Sequence, residues 1–171
     1  MRTAWDLGLL QACVGCARET RRSLTHHIIS EGTSVKTHIS LQTRDLDASI
    51  AFYRTLLQRE PDKHFSDYAF FSIDDPALEL AINPTLEPIP LDRTHYGVAV
   101  NDANSVDEAI ERLRAAAYDI DIEREETCCY AKQTKVWTSD PDGRRWEVYA
   151  VLDETEQRED SRGMCCSGAD Q

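Results

Sequence analysis

The sequence predicts an α+β fold: paired βαβββ modules forming a curved mixed sheet around a metal cleft. Two echoes and a periodicity predict it. Lys36-Thr37-His38-Ile39-Ser40-Leu41-Gln42-Thr43-Arg44-Asp45 is echoed by Arg93-Thr94-His95-Tyr96-Gly97-Val98-Ala99-Val100-Asn101-Asp102 at an offset of 57 residues, from His38 to His95. Base, Thr, His, an apolar run and Asp share one register. Leu78-Glu79-Leu80-Ala81 is echoed by Trp146-Glu147-Val148-Tyr149 at an offset of 68, and the difference of 11 is what an insertion in the second copy would add. After each His, a period of two gives way to a helical period. An internal repeat is the strongest constraint on architecture that a sequence offers, so the chain reads as one unit used twice.

In order, residues 1–33 lie outside the repeat and read as a poorly ordered extension. They hold Cys13, Cys16, His26 and His27, without the spacing of a zinc finger. Module one spans 35–83. Val35–Thr43 alternates as a strand, with His38, Ser40 and Gln42 on one face. Asp45 or Asp47 can cap a following helix whose apolar stripe is Leu46, Ile50, Phe52/Tyr53 and Leu56/Leu57. Short strands then run near His64–Asp67, Tyr68–Ile73 and Leu78–Ile82, and a proline-rich link carries Pro84, Pro88 and Pro90.

Module two, 93–152, repeats the order. Strand Thr94–Val100 precedes a helix from about Ala103 to Ala117, capped by Asn104 or Ser105. Strands Ile120–Glu126, Thr134–Thr138 and Arg145–Val151 follow, with extra loop residues around Thr127–Ala131 and an Asp140-Pro141-Asp142-Gly143 turn. Residues 153–171 turn acidic and polar and read as a flexible tail carrying Cys165 and Cys166.

The 171 residues are 41% hydrophobic and 29% charged, ordinary for a globular domain. A net charge of −12 argues against nucleic acid or an anionic membrane as partner, since both demand basic surface. No apolar run approaches the roughly 20 residues of a membrane span. Leu7–Ala17 faintly resembles a secretion signal, but Asp6 and Gln11 interrupt it and it is short, so a cytoplasmic protein is expected. Six cysteines fall in three close pairs: Cys13/Cys16, Cys128/Cys129 and Cys165/Cys166. Adjacent cysteines close almost no chain and strain a disulfide, so reduced thiols available to soft metals or metalloids are expected.

His38, His95 and Glu147 are the candidate metal ligands. Two imidazoles and a carboxylate suit Fe(II), with Mn(II), Zn(II) or Ni(II) as other divalent choices, and leave positions open for substrate and O2. Glu79 is ambiguous. As a fourth ligand it would make a closed Lewis-acid site; otherwise it faces outward or orients a ligand.

The paired His-bearing strands, the Leu-Glu-Leu echoed by Trp-Glu-Val, and the Asp-Pro-Asp-Gly before the last Glu resemble the vicinal oxygen chelate superfamily over Val35 to Leu152. That superfamily includes glyoxalases, fosfomycin and bleomycin resistance proteins, and extradiol dioxygenases. Within it, Thr127-Cys128-Cys129-Tyr130-Ala131-Lys132-Gln133-Thr134-Lys135-Val136-Trp137 is similar to a narrower group, the organoarsenical carbon–arsenic lyases and their cadmium-induced relatives. The resemblance implies an Fe(II)- and O2-dependent enzyme that cleaves methylarsenite and trivalent aromatic arsenicals to arsenite. It implies His38, His95 and Glu147 as ligands, with Cys128 and Cys129 as the substrate thiols; the 11-residue insertion that bears both sulfurs reads as a flexible loop able to swing the arsenic over the metal.

Chemistry supports the thiol assignment independently. A monoorgano trivalent arsenical carries one carbon and two exchangeable oxygens, so two thiolates can replace both oxygens and leave the organic group free. Cys165 and Cys166 are accessory thiols that could hand arsenic or cadmium to the loop, or hold product. Two other functions compete: a glyoxalase-like lyase or isomerase using His38, Glu79, His95 and Glu147, and a non-enzymatic cadmium- or arsenic-binding protein. Paired modules can complete a site within one chain or exchange between two, so a homodimer is an open arrangement.

Overall fold

The computed structural model describes residues 35–128 and 130–156, with Cys128 described by its backbone alone. The chain divides after Thr33, and the elements of the described residues belong to the unit from Ser34 onward. The extension with Cys13, Cys16, His26 and His27, the residue Cys129, and the tail thiols Cys165 and Cys166 lie outside the described residues.

Module one consists of β1 (Thr37–Thr43), α1 (Leu46–Leu57), β2 (Lys63–Phe65), β3 (Tyr68–Asp74) and β4 (Ala77–Pro84). Module two repeats the order as β5 (His95–Ala99), α2 (Ala103–Ala115), β6 (Ile120–Cys128), β7 (Ala131–Ser139) and β8 (Arg145–Glu154). The expected βαβββ repeat is present. Each module builds its own four-stranded mixed sheet, ordered β1-β4-β3-β2 and β5-β8-β7-β6. The first strand of each pairs parallel with the last, and the remaining pairs are antiparallel.

Local chemistry explains the helix starts. Asp45 is extended and its carboxylate accepts the Ala48 backbone N–H at 2.9 Å, filling one of the orphan donors of α1. In α2 the cap is Asp102, not Asn104 or Ser105. It accepts both the backbone N–H and the hydroxyl of Ser105, at 2.8 and 2.9 Å. Asn104 and Ser105 already lie inside the helix, and the residue that stays extended before it, Asp102 at φ −157°, is the one that can reach back.

Around the insertion of module two the described residues extend strands. Strands β6, β7 and β8 run 9, 9 and 10 residues against 3, 7 and 8 for β2, β3 and β4, so the added residues lengthen antiparallel arms. Cys128 pairs with Ala131 at the end of the β6–β7 ladder, and β8 continues through Glu154 to pair with Ala131.

One apolar core serves both modules. Leu41, Leu80, Ile82 and Phe71 from the first sheet join Val136, Trp146 and Val148 from the second, together with the buried faces of α1 and α2. Phe52 and Tyr53 are buried, as the helical stripe predicts. Tyr53 bridges the modules: its ring lies edge-on to Trp146 at 5.6 Å, and its hydroxyl donates to Asp140 Oδ2 at 2.8 Å. The buried Asp140 also accepts the backbone N–H groups of Asp142 and Arg144 and the Arg144 guanidinium. That guanidinium donates onward to the Gln42 carbonyl of β1 at 2.6 Å. The Asp-Pro-Asp-Gly turn is thus a clamp between modules. No helix among the described residues is long and apolar enough to cross a membrane.

Candidate functional site

Strand alternation decides which face carries each donor. Because Ile39, Leu41, Leu80 and Ile82 face the shared core, His38 and Glu79 stand on the opposite face of the first sheet. Because Tyr96, Val98, Trp146 and Val148 face that same core, His95 and Glu147 stand on the opposite face of the second. The two polar faces are therefore both turned away from one core.

In module one His38 and Glu79 are direct cross-strand partners, with Nδ1 3.4 Å from Oε2 and both side chains substantially exposed. In module two the register differs by two residues. Glu147 lies opposite Gly97, and His95 lies opposite Arg145. A shift of two keeps every side chain on its face, so His95 Nε2 still approaches Glu147 Oε1, at 3.7 Å along the diagonal. Gly97 makes room for this. A Cβ there would lie 3.2 Å from both Cγ and Oε1 of Glu147 and 3.1 Å from the Tyr149 ring.

The structure thus brings His38 to Glu79 and His95 to Glu147. It does not draw His38, His95 and Glu147 into one cluster within the chain. Among the described residues no group of three or more His, Cys, Asp and Glu side chains gathers around a common point. The sequence leaves open whether the ligand set closes within one chain or between two; among the described residues it stands as two halves, on sheet faces turned away from the helices and the common core. Each half offers an imidazole and a carboxylate, donor types that fit a divalent first-row ion, but two donors do not enclose one. Cys128 ends β6, in the same sheet as His95 and Glu147, with β7 between β6 and β8.

Sequence reasoning assigned no role to the Lys and Trp of the cysteine-bearing motif. Both lie on the His95/Glu147 face of β7. The Lys135 ammonium is 2.9 Å from Glu147 Oε2, and both side chains are buried, at 5% and 10% exposure. Trp137 lies opposite Glu147, meets the His95 ring edge-on at 5.1 Å, and donates its indole N–H to Glu123 at 3.0 Å. The Arg145 guanidinium stacks over that indole at 4.3 Å. The signal was present: Lys-x-Trp alternation places the two residues on one face of a strand.

Comparison with known proteins follows the same lines. A family model described as "Glyoxalase/Bleomycin resistance protein/Dioxygenase superfamily" matches residues 37–148. The cadmium-induced protein CadI of Mycobacterium tuberculosis (strain ATCC 25618 / H37Rv) is 39% identical over 149 residues, covering 78% of this chain and 93% of that protein. A trivalent organoarsenical cleaving enzyme of Thermomonospora curvata is 37% identical over 141 residues, covering 79% of this chain and 90% of that protein. Among solved structures, a glyoxalase/bleomycin resistance protein/dioxygenase from Alicyclobacillus acidocaldarius superposes with a TM-score of 0.57 at 18% identity, covering 70% and 92% of the two chains.

Proposed function

This chain belongs to the glyoxalase/bleomycin resistance protein/dioxygenase superfamily, and from that premise we propose that it is a cytoplasmic Fe(II)- and O2-dependent carbon–arsenic lyase. Its substrates are trivalent organoarsenicals, methylarsenite and aromatic arsenicals, its product is arsenite, and its role is arsenic detoxification. The observation that carries the reading is the first cysteine of the dithiol sequence and an imidazole–carboxylate pair in one sheet. Cys128 ends β6, and His95 with Glu147 lies on the neighbouring strands beyond β7. A glyoxalase-like isomerase has no use for the paired thiols. Relatives named for organoarsenical cleavage at 30–37% identity support the same substrate class.

In this reading His38, His95 and Glu147 hold the iron, and Glu79, beside Nδ1 of His38, orients that ring. Because the halves face away from one core, the complete set forms between two copies, module one of each meeting module two of the other. Iron bound there would supply the O2 chemistry that breaking a carbon–arsenic bond requires. Cys128 and Cys129 take the arsenic by exchanging thiolates for its two oxygens, releasing water and leaving the organic group to be presented to the centre. The accessory thiols Cys165 and Cys166 receive the released arsenite or deliver the substrate.

The test is direct. Protein purified anaerobically, loaded with Fe(II), then given air and methylarsenite should release arsenite. Cys129→Ser should lose arsenical binding and keep iron, and His95→Ala should do the reverse. No arsenite from a demonstrably iron-loaded protein would leave a non-enzymatic cadmium- or arsenic-binding role in its place.

A further inference from the structure

The two oxygens of Glu147 have different surroundings. Oε1 faces His95 Nε2 at 3.7 Å, in the open part of the face. Oε2 is fully shielded from solvent and receives no hydrogen bond. Its neighbour is the Lys135 ammonium at 2.9 Å, off the axis of a hydrogen bond, so the contact is charge against charge. The ammonium is itself held by two rings, 5.3 Å from the centre of Trp137 and 5.8 Å from that of Tyr149. Lys135 pairs with Tyr149 across the strands, and Trp137 pairs with Glu147, so the cage is built from the ladder itself.

We propose that Lys135 is a positioning residue that claims Oε2 of Glu147 and so restricts this carboxylate to one-oxygen ligation of the metal through Oε1. The inference rests on the proposed role of Glu147 as a ligand. A carboxylate free to rotate can chelate an ion through both oxygens and occupy an additional coordination position. A buried cation anchored by two aromatic faces prevents that rotation. The position it preserves is one that a substrate or O2 needs, in a site whose protein ligands must leave room. The same cation lowers the affinity for a divalent ion, because like charges oppose each other strongly where water is excluded. Lys135 therefore exchanges tightness of binding for open coordination, a combination that a purely structural ion pair would not produce.

The experiment compares wild type, Lys135→Met and Lys135→Arg, each loaded with Mn(II) under anaerobic conditions. Affinity is read by calorimetry, the number of exchangeable inner waters by proton relaxivity, and folding by circular dichroism. Lys135→Met should bind Mn(II) about tenfold more tightly, the scale of removing one nearby like charge, and should lose about one inner water as Oε2 joins the ion. Lys135→Arg, which keeps the charge, should retain the wild-type relaxivity. If Lys135→Met does not fold, Lys135→Gln carries the same test, with affinity rising and relaxivity falling to a smaller degree. Unchanged relaxivity in a folded, Mn(II)-binding neutral variant would overturn the proposal and leave Glu147 as a ligand. If Mn(II) affinity in wild type does not change on replacing Glu147 with Gln, the ligand assignment itself fails, and the two failures are told apart.

Discussion

Tyr53 shows how a single side chain can couple the two halves. Buried at 1% exposure and donating to a buried carboxylate, its phenol is pushed up beyond the range where tyrosines ordinarily titrate, by burial first and by the Asp140 charge second. In the unfolded chain that proton is lost near 10.0. Above that pH the folded state holds more protons than the unfolded one, so stability falls as pH rises, by about 1.4 kcal/mol per unit from this group. Below pH 10 its contribution is constant. Tyr53→Phe should cost about 1–2 kcal/mol at pH 8, since Asp140 keeps its other donors. It should also flatten the loss of stability between pH 10 and 11.5, as measured by urea unfolding. Parallel slopes for wild type and variant would show that another group governs the alkaline limb. Tyr53 was legible as core from its place in the α1 stripe. Its hydroxyl partner was not, because 87 residues separate it from Asp140.

At the level of elements, the β6–β7 hairpin is where the chain departs furthest from its own repeat. Two residues separate Cys128 from Ala131, and the second, Tyr130, has a left-handed backbone at φ 68° with its side chain half exposed. A bulky residue there costs about 1 kcal/mol relative to glycine. Tyr130→Gly should therefore raise stability by about that amount, seen as a higher urea midpoint with an unchanged slope. A fall in the midpoint would mean that contacts of the Tyr130 ring outweigh the strain. The type and order of the ten elements among the described residues were readable from periodicity and turn chemistry. The lengths of β6, β7 and β8 were not. Thr127 and Cys128 carry no strong period of their own, and only pairing with Lys132 and Ala131 makes them sheet.

For the molecule as a whole, the consequence of a shared core is that the two imidazole–carboxylate pairs stand on faces turned away from it. If two copies complete them, mixing His38→Ala with His95→Ala protein should restore what neither variant has alone. Each mixed dimer would hold one intact ligand set and one doubly damaged one. After unfolding and refolding an equimolar mixture, Fe(II) content should recover to about a quarter of wild type, since half of the dimers are mixed and each has one good site of two. No recovery, with a monomer at all concentrations in analytical ultracentrifugation, would require the halves to meet within one chain.

What the sequence determined by itself was the repeat, the donors it duplicates, and the dithiol that only the second copy carries. These are properties of spacing and residue type, and alternation along a strand tells which residues share a face. The tertiary structure alone decided what each face meets. Both sheets spend their apolar sides on the same helices and the same core, so His38 and His95 end on faces turned away from that core, and Lys135 is left buried against Glu147. That outcome depends on how two modules pack against each other, and packing is set by contacts between residues far apart in the chain, which no local pattern encodes.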